Sequence, residues 1–234
     1  MEKWILTADQ VKIHYQLCGR GPVMIFLHGN SQSMKVFKKQ VAYFSKFYTC
    51  LTIDTRAHGQ SIFLGERMTF RDLSEDVFSI LDKENIKKAT LLGFSDGANT
   101  AMLLAALQPE RFTELILNAG NLNFNGLYSI LRFIFSFINR IKNWFKIKSP
   151  TLELLTEDTG LDLTDLSQIS AKTLVLIGQF DVIKYGHARA IKNAIPHAKL
   201  IIAPFASHLF FRTQPHRFNR IVSHFLKAVS TDKH

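Results

Sequence analysis

Apolar positions along this chain follow two periods. "VKIHYQ" (11–16) alternates apolar and polar residues, the mark of a half-buried strand, and "VMIFLH" (23–28) is a continuous apolar run that predicts a fully buried one. "YTCLTID" (48–54) predicts a further strand ending at Asp54. The rhythm then changes. In "TFRDLSEDVFSILDKE" (69–84), Phe70, Leu73, Val77, Ile80 and Leu81 recur at helical spacing and mark an amphipathic helix. "ATLLG" (89–93) reads as a strand, "SDGANTAMLLAALQ" (95–108) as a helix stopped before Pro109, and "FTELILNAG" (112–120) as a strand. "KTLVLIG" (172–178) and "AKLIIA" (198–203) are strand runs separated by a helix near 186–194. "PHRFNRIVSHFLKAV" (215–229) closes the chain as a helix with Pro215 near its start.

Buried strands alternating with helices imply an α/β fold, a doubly wound, mostly parallel sheet covered on both faces. Sites in such sheets lie at the carboxyl ends of the strands. The positions after "IFL", "TID", "LLG", "LIG" and "IIA" are therefore where chemistry is expected.

One segment departs from the alternation. Residues 121–168 carry no clean strand and are expected to form a small helical cap inserted between two parts of the core, 1–120 and 169–234. Within it "GLYSILRFIFSFINRIKNWFKIK" (126–148) predicts a long helix. Leu127, Ile130, Leu131, Ile134, Ile138, Ile141 and Phe145 form one stripe, widened by Phe133, Phe137 and Trp144. Arg132, Arg140, Lys142 and Lys146 take the rest of the circumference, and no Asp or Glu occurs from Leu115 through Leu152. So wide an apolar arc suggests two buried faces, one on the core and one roofing a pocket. The other arrangement is an amphipathic helix bound at a surface.

Composition narrows the field. The 234 residues, 47% of them hydrophobic, suffice for one sizeable core or two small domains. Two cysteines, Cys18 and Cys50, are too few for a disulfide framework; they suit a reducing cytoplasm, with a single bridge left open. "MEKWILTADQVKIHYQ" lacks the apolar core of a signal peptide, and no apolar stretch is long enough to predict a spanning segment. The net charge of +10 is either a solvated face or a docking surface for an acidic partner or a membrane. No nucleic-acid-binding module accompanies it.

"LLGFSDGAN" (91–99) carries the chemistry. A Gly-x-Ser-x-Gly match alone is weak, but here a strand precedes it and a helix follows, which projects Ser95 above the sheet at a helix N-terminus. A serine hydroxyl needs a positioned base, and the base an orienting acid. In chain order, Asp181 stands just past "LVLIG", and His208 lies in the loop between "LIIA" and the last helix. Among nine histidines only His208 has this placement; His187, His197, His216, His224 and His234 read as surface or helix residues and His14 as a strand residue. An oxyanion would be held by the backbone N–H of Asp96 and by that of Asn30, in the turn after "MIFLHGN". His28 reads as structural in that turn. The Asp96 carboxylate either favours the helix N-terminus electrostatically or attracts a cationic group of the substrate. No metal-ligand cluster or dinucleotide motif competes, so no cofactor is expected.

"FLHGN" (26–30), "DTRAHGQS" (54–61), "GFSDG" (93–97), "GQFD" (178–181) and "SH" (207–208) together resemble the α/β-hydrolase fold superfamily, in family order over nearly the whole chain. The resemblance implies a Ser95–Asp181–His208 triad, oxyanion donors at Asn30 and Asp96, a structural role for "DTRAHGQS" (with Ala57 where glycine is common), and a cytoplasmic serine esterase. The substrate implied is a small or medium carboxylic ester cleaved through an acyl-enzyme. C–C bond hydrolases, lactonases and methyl ester hydrolases acting on acyl carrier protein share this machinery, and a non-catalytic ligand binder is the reading from another class. In the carrier reading Arg132, Arg140, Lys142, Lys146 and Lys148 dock the acidic partner, while Phe133, Phe137 and Trp144 line an acyl channel.

Overall fold

A single eight-stranded sheet organises the chain in the computed structural model, which describes residues 1–231, with side chains described through residue 227. Strands β1 (Glu2–Leu6), β2 (Lys12–Gly19) and β3 (Val23–Leu27) are followed by helix α1 (Lys38–Phe44). β4 (Thr49–Asp54), α2 (Phe70–Lys83), β5 (Ala89–Phe94), α3 (Asp96–Leu107) and β6 (Phe112–Asn118) continue the alternation. After helices α4 (Ser129–Trp144) and α5 (Pro150–Leu154), the chain re-enters the sheet as β7 (Lys172–Phe180). It ends with α6 (Tyr185–Ala194), β8 (Lys199–Ser207), α7 (Phe210–Thr213) and α8 (Pro215–Thr231).

The spatial order is β1-β2-β4-β3-β5-β6-β7-β8. The pairs β1–β2 and β2–β4 are antiparallel and every other pair is parallel, so the mostly parallel sheet read from the sequence is present. Its two faces bury alternate side chains of the same strands. Ile25, Leu27 and Leu91 pack with Val77 and Ile80 of α2, Ala101 and Leu104 of α3, and Ile191 of α6. Met24, Phe26 and Leu92 pack against Phe44 of α1 and Phe218, Val222 and Phe225 of α8. Burial on both faces explains why the central strands are continuous apolar runs. α3 lies against β3, β5 and β6 and is buried on nearly all sides, which fits its lack of a polar face.

Two elements left no periodic signal. β1 is an edge strand of partly exposed residues, and α1 is a seven-residue helix preceded by a 3₁₀ turn. α2 begins where the chemistry dictates: Thr69 and Asp72 form a reciprocal capping box. Cys18 and Cys50 face each other across β2 and β4 as free thiols. His234 lies outside the described residues. Among the described residues no helix is long and apolar enough to cross a membrane.

Candidate active site

Ser95 occupies the turn between β5 and α3 with φ 52° and ψ −121°, a conformation that costs a non-glycine residue energy and persists only when its surroundings impose it. They do so here. The Ser95 N–H donates to the Asn118 carbonyl at 2.9 Å, while the Ser95 carbonyl accepts from Ala98 and Asn99 at 2.7 and 3.0 Å. The flanking glycines are required by close approach. A Cβ at position 93 would meet the backbone of Gly97, and one at position 97 would meet the Leu27 carbonyl. The Gly-x-Ser-x-Gly spacing thus lets β3, β5 and the start of α3 touch backbone to backbone beneath a raised serine.

At the far ends of β7 and β8, His208 Nδ1 lies 2.7 Å from Asp181 Oδ1. Asp181 is itself fixed, because Gly178 N–H donates to its Oδ2 at 3.0 Å and Ile183 N–H to its Oδ1 at 3.2 Å. A carboxylate so held accepts the Nδ1–H of the imidazole and leaves Nε2 as the basic nitrogen. Among the described residues Ser95 Oγ has no hydrogen-bond partner, yet Ser95 and His208 line one cavity of about 220 Å³. The His208 ring packs on Phe94, the residue before Ser95, with centroids 4.8 Å apart.

Asn30 and Asp96 line the same cavity, and no described residue accepts the backbone N–H of either. Asn30 Nδ2 donates to Asp96 Oδ2 at 2.9 Å and to the Thr151 carbonyl at 2.8 Å. Burial pushes the Asp96 carboxyl up to about 6, against the lowering effects of the Asn30 hydrogen bond and the nearby His208.

The α/β hydrolase fold family model matches residues 22–137. A hydrolase of Pseudomonas aeruginosa PA01 superposes with a TM-score of 0.79 at 22% identity, covering 96% of this chain and 98% of that one. The chain is an α/β-hydrolase-fold protein. Over 113 residues it is 34% identical to 3-oxoadipate enol-lactonase 2 of Acinetobacter baylyi, covering 47% of this chain and 42% of the relative. Over 256 aligned positions it is 23% identical to the pimeloyl-acyl-carrier-protein methyl ester esterase of Wigglesworthia glossinidia brevipalpis, covering 91% and 97%. The chain spans only 33%, 42% and 35% of the length of the first three curated relatives it matches.

Within this hydrolase fold the "DTRAHGQS" loop is structural framework. Arg56 donates to both carboxylate oxygens of buried Asp76, at 2.8 and 2.6 Å, and to Asp9 at 2.9 Å. Asp54 holds the Met34 and Gln60 N–H groups. His28 donates Nδ1–H to the Gly29 carbonyl at 2.8 Å and accepts the Thr55 N–H at Nε2, 3.1 Å away. Burial lowers its pKa to about 4, with His58 adding to the effect, so it is a neutral turn-former. His187 is a helix residue, half-buried in α6, and its Nε2 accepts the Leu122 N–H at 3.1 Å.

The helical segment between β6 and β7 differs from the sequence expectation. Leu127, Leu131, Phe135, Leu154 and Leu155 line the cavity on that side, with Asn121 and Glu157 as its polar members. Phe133, Phe137 and Trp144 do not line it; they stand exposed on the outer side of α4. Two buried faces would need a second protein layer. Instead α4 rests on one narrow stripe through Leu131, Phe135 and Lys142, and the rest of its apolar arc is in contact with solvent. Lys142 does not stand on the outer face either. It points inward, 3% exposed, and donates to Glu153 of α5 at 2.6 Å. Lys148 pairs with Glu66, and Arg132 donates to Asn125. The cavity-lining residues Leu131 and Phe135 were hidden in the sequence because they sit inside an arc of uniformly apolar residues. Their i, i+4 spacing with each other was the available signal.

Proposed function

We propose that this chain hydrolyses a carboxylic ester of a small or medium acyl group through an acyl-enzyme on Ser95. The observation that carries the proposal is the Asp181–His208 pair opening onto the same cavity as the strained Ser95. In this reading His208 Nε2 takes the Ser95 hydroxyl proton as Oγ attacks the carbonyl carbon. The oxyanion that forms is held by the N–H groups of Asn30 and Asp96, the second of them at the N-terminus of α3. Collapse breaks the ester bond, and His208 gives its proton to the departing alkoxide. Water then attacks the acyl carbon, losing a proton to His208, and releases the acid and the free serine. Asp181 keeps Nδ1–H oriented and stabilises the imidazolium throughout.

The cavity bounds the acyl group. A volume of about 220 Å³ walled by Leu127, Leu131, Phe135 and Leu154 suits a short, apolar acyl chain. The test is Ser95→Ala on p-nitrophenyl acetate and butyrate. Turnover is expected to fall on the order of 10³–10⁶-fold. Unchanged turnover would overturn the assignment, as would failure of the parent enzyme to react with a fluorophosphonate probe.

A second reading keeps every step and changes the leaving group. The 34% identity to an enol-lactonase favours a cyclic ester, in which the expelled alkoxide stays tethered to the acyl group. The near full-length match to a carrier-protein methyl ester esterase favours a methyl ester on a long carrier. Turnover of acetate esters, a lactone panel and a carrier-bound methyl ester by the same preparation separates the three.

A further inference from the structure

α4 presents to solvent a face that a free helix would bury. At about 100° per residue, Phe133, Trp144, Phe137, Ile130, Ile141 and Ile134 fall within one sector of the helix, roughly a third of its circumference. All six are exposed, Trp144 by 82%, Phe133 by 68% and Ile130 by 65%. Phe133 and Phe137 stack with ring planes 10° apart, which holds them as a preformed apolar surface. Exposed apolar patches of this kind mark interaction sites. The opposite side of the same helix supplies Leu131 and Phe135 to the cavity wall.

We infer that the outward face of α4 is a docking surface for an anionic lipid bilayer, on which the helix lies parallel to the membrane plane.

The charge around the face selects this occupant. Arg140 flanks the apolar sector, and together with Phe137, Ile141 and Trp144 it lines one shallow surface depression. Lys146 follows at the end of the helix, no carboxylate side chain occurs from Leu115 through Leu152, and the chain carries a net charge of +10. Basic residues beside an aromatic and aliphatic face are what binds a helix into the headgroup boundary of anionic lipid. α4 cannot do more than lie there, since its sixteen residues are too few to span.

A second copy of the chain on the same face would set Arg140 and Lys146 against their own kind within a strongly cationic pair. An acidic protein held chiefly by charge would meet few free cations, because Lys142 is inside on Glu153 and Lys148 is paired with Glu66, and it would leave the aromatic sector uncovered. The apolar sector remains the dominant feature, and a bilayer is the partner that buries all of it. Docking would bring the cavity within one helix diameter, about 10–12 Å, of lipid.

The experiment mixes the full chain with phosphatidylcholine vesicles, and with vesicles of equal parts phosphatidylcholine and phosphatidylglycerol. Sedimentation reads binding, and Trp144 emission reads insertion. Expected are partition into the anionic vesicles, weakening with salt, and a blue shift that Trp144→Phe removes. Phe133→Ser with Phe137→Ser should weaken partition at least about tenfold, and Arg140→Glu should weaken it too. These residues are exposed, and far-ultraviolet circular dichroism checks that both variants are folded. Ser95→Ala should bind as the parent does, so failure of the hydrolase assignment and failure of docking are read separately. No partition at low salt would overturn the inference, as would partition unaltered in the double serine variant. It is equally overturned by a dimer that the serine variant dissolves, or by a Trp144 shift that purified acyl carrier protein produces and vesicles do not.

Discussion

The side-chain amide of Asn30 is bonded to the Asp96 carboxylate at 2.9 Å, which ties together two turns that line the cavity beside Ser95. Its second hydrogen goes to the Thr151 carbonyl, so one amide joins the turn after β3, the start of α3 and the segment carrying α5. Displacements well under an ångström matter for an oxyanion donor. In the proposed mechanism the Asn30 side chain is therefore a positioning group. Asn30→Ala should lower kcat on p-nitrophenyl acetate roughly tenfold or more with a smaller change in KM. Asn30→Asp, which sets two carboxylates face to face, should lose more at pH 8 and regain activity toward pH 6. Equal proportional changes in kcat and KM without pH dependence would refute the positioning role.

Asp96 makes stability depend on pH in an unusual direction for a carboxylate. Its folded pKa of about 6 lies above the ordinary 3.8, so the folded state holds the proton more tightly. The stabilisation is complete below pH 3.8 and is lost as pH rises toward 6, leaving a buried charge at neutrality. Asp96→Asn should gain stability at pH 7 relative to pH 4, on the order of 2–3 kcal/mol in the difference, measured by urea denaturation. The same variant tests recognition of a cationic substrate: a selective loss on amino-acid esters supports it, and an equal effect on neutral and amino-acid esters excludes it.

His28 acts in the opposite sense. Its folded pKa of about 4 lies below the ordinary 6.5, so the unfolded state binds the proton first as pH falls. Stability from this group is full above pH 6.5 and is lost between there and about pH 4, by on the order of 3 kcal/mol. His28→Asn should flatten that part of the urea midpoint against pH curve while lowering the midpoint at pH 7, since the Thr55 and Gly29 hydrogen bonds are altered.

Arg56 tests whether the loop after β4 is framework. The residue is 3% exposed, and its guanidinium is bonded to Asp76 through two nitrogens. Arg56→Leu strands a buried carboxylate and should cost about 3–5 kcal/mol in unfolding free energy. Arg56→Leu with Asp76→Leu should recover much of that, because the double change removes both charges together.

Much of the framework could be read from the residues. Ile25, Phe26, Leu91 and Leu92 form uninterrupted runs because each strand is covered on both sides, so a local pattern reports a long-range environment directly. The Ser95, Asp181 and His208 positions were legible because the sheet places each after a strand, in an order that chain position preserves. β1 was not legible, since its half-exposed edge residues meet only one neighbour.

The helix across the cavity marks where sequence runs out. Periodicity established that 126–148 would be helical and apolar over a wide arc, because backbone geometry sets the 3.6-residue repeat. It could not say which side of that arc would meet the protein. Leu131 and Phe135 face inward, and Phe133, Phe137 and Trp144 outward, through contacts made with residues far along the chain. Nearer by, Glu153 of α5 draws Lys142 beneath the helix. The sequence by itself determined most of the elements, their order and which residues are candidates for a triad. Only the tertiary structure decided which apolar face is covered, because burial is a property of the partners that fold against a helix and not of the helix itself.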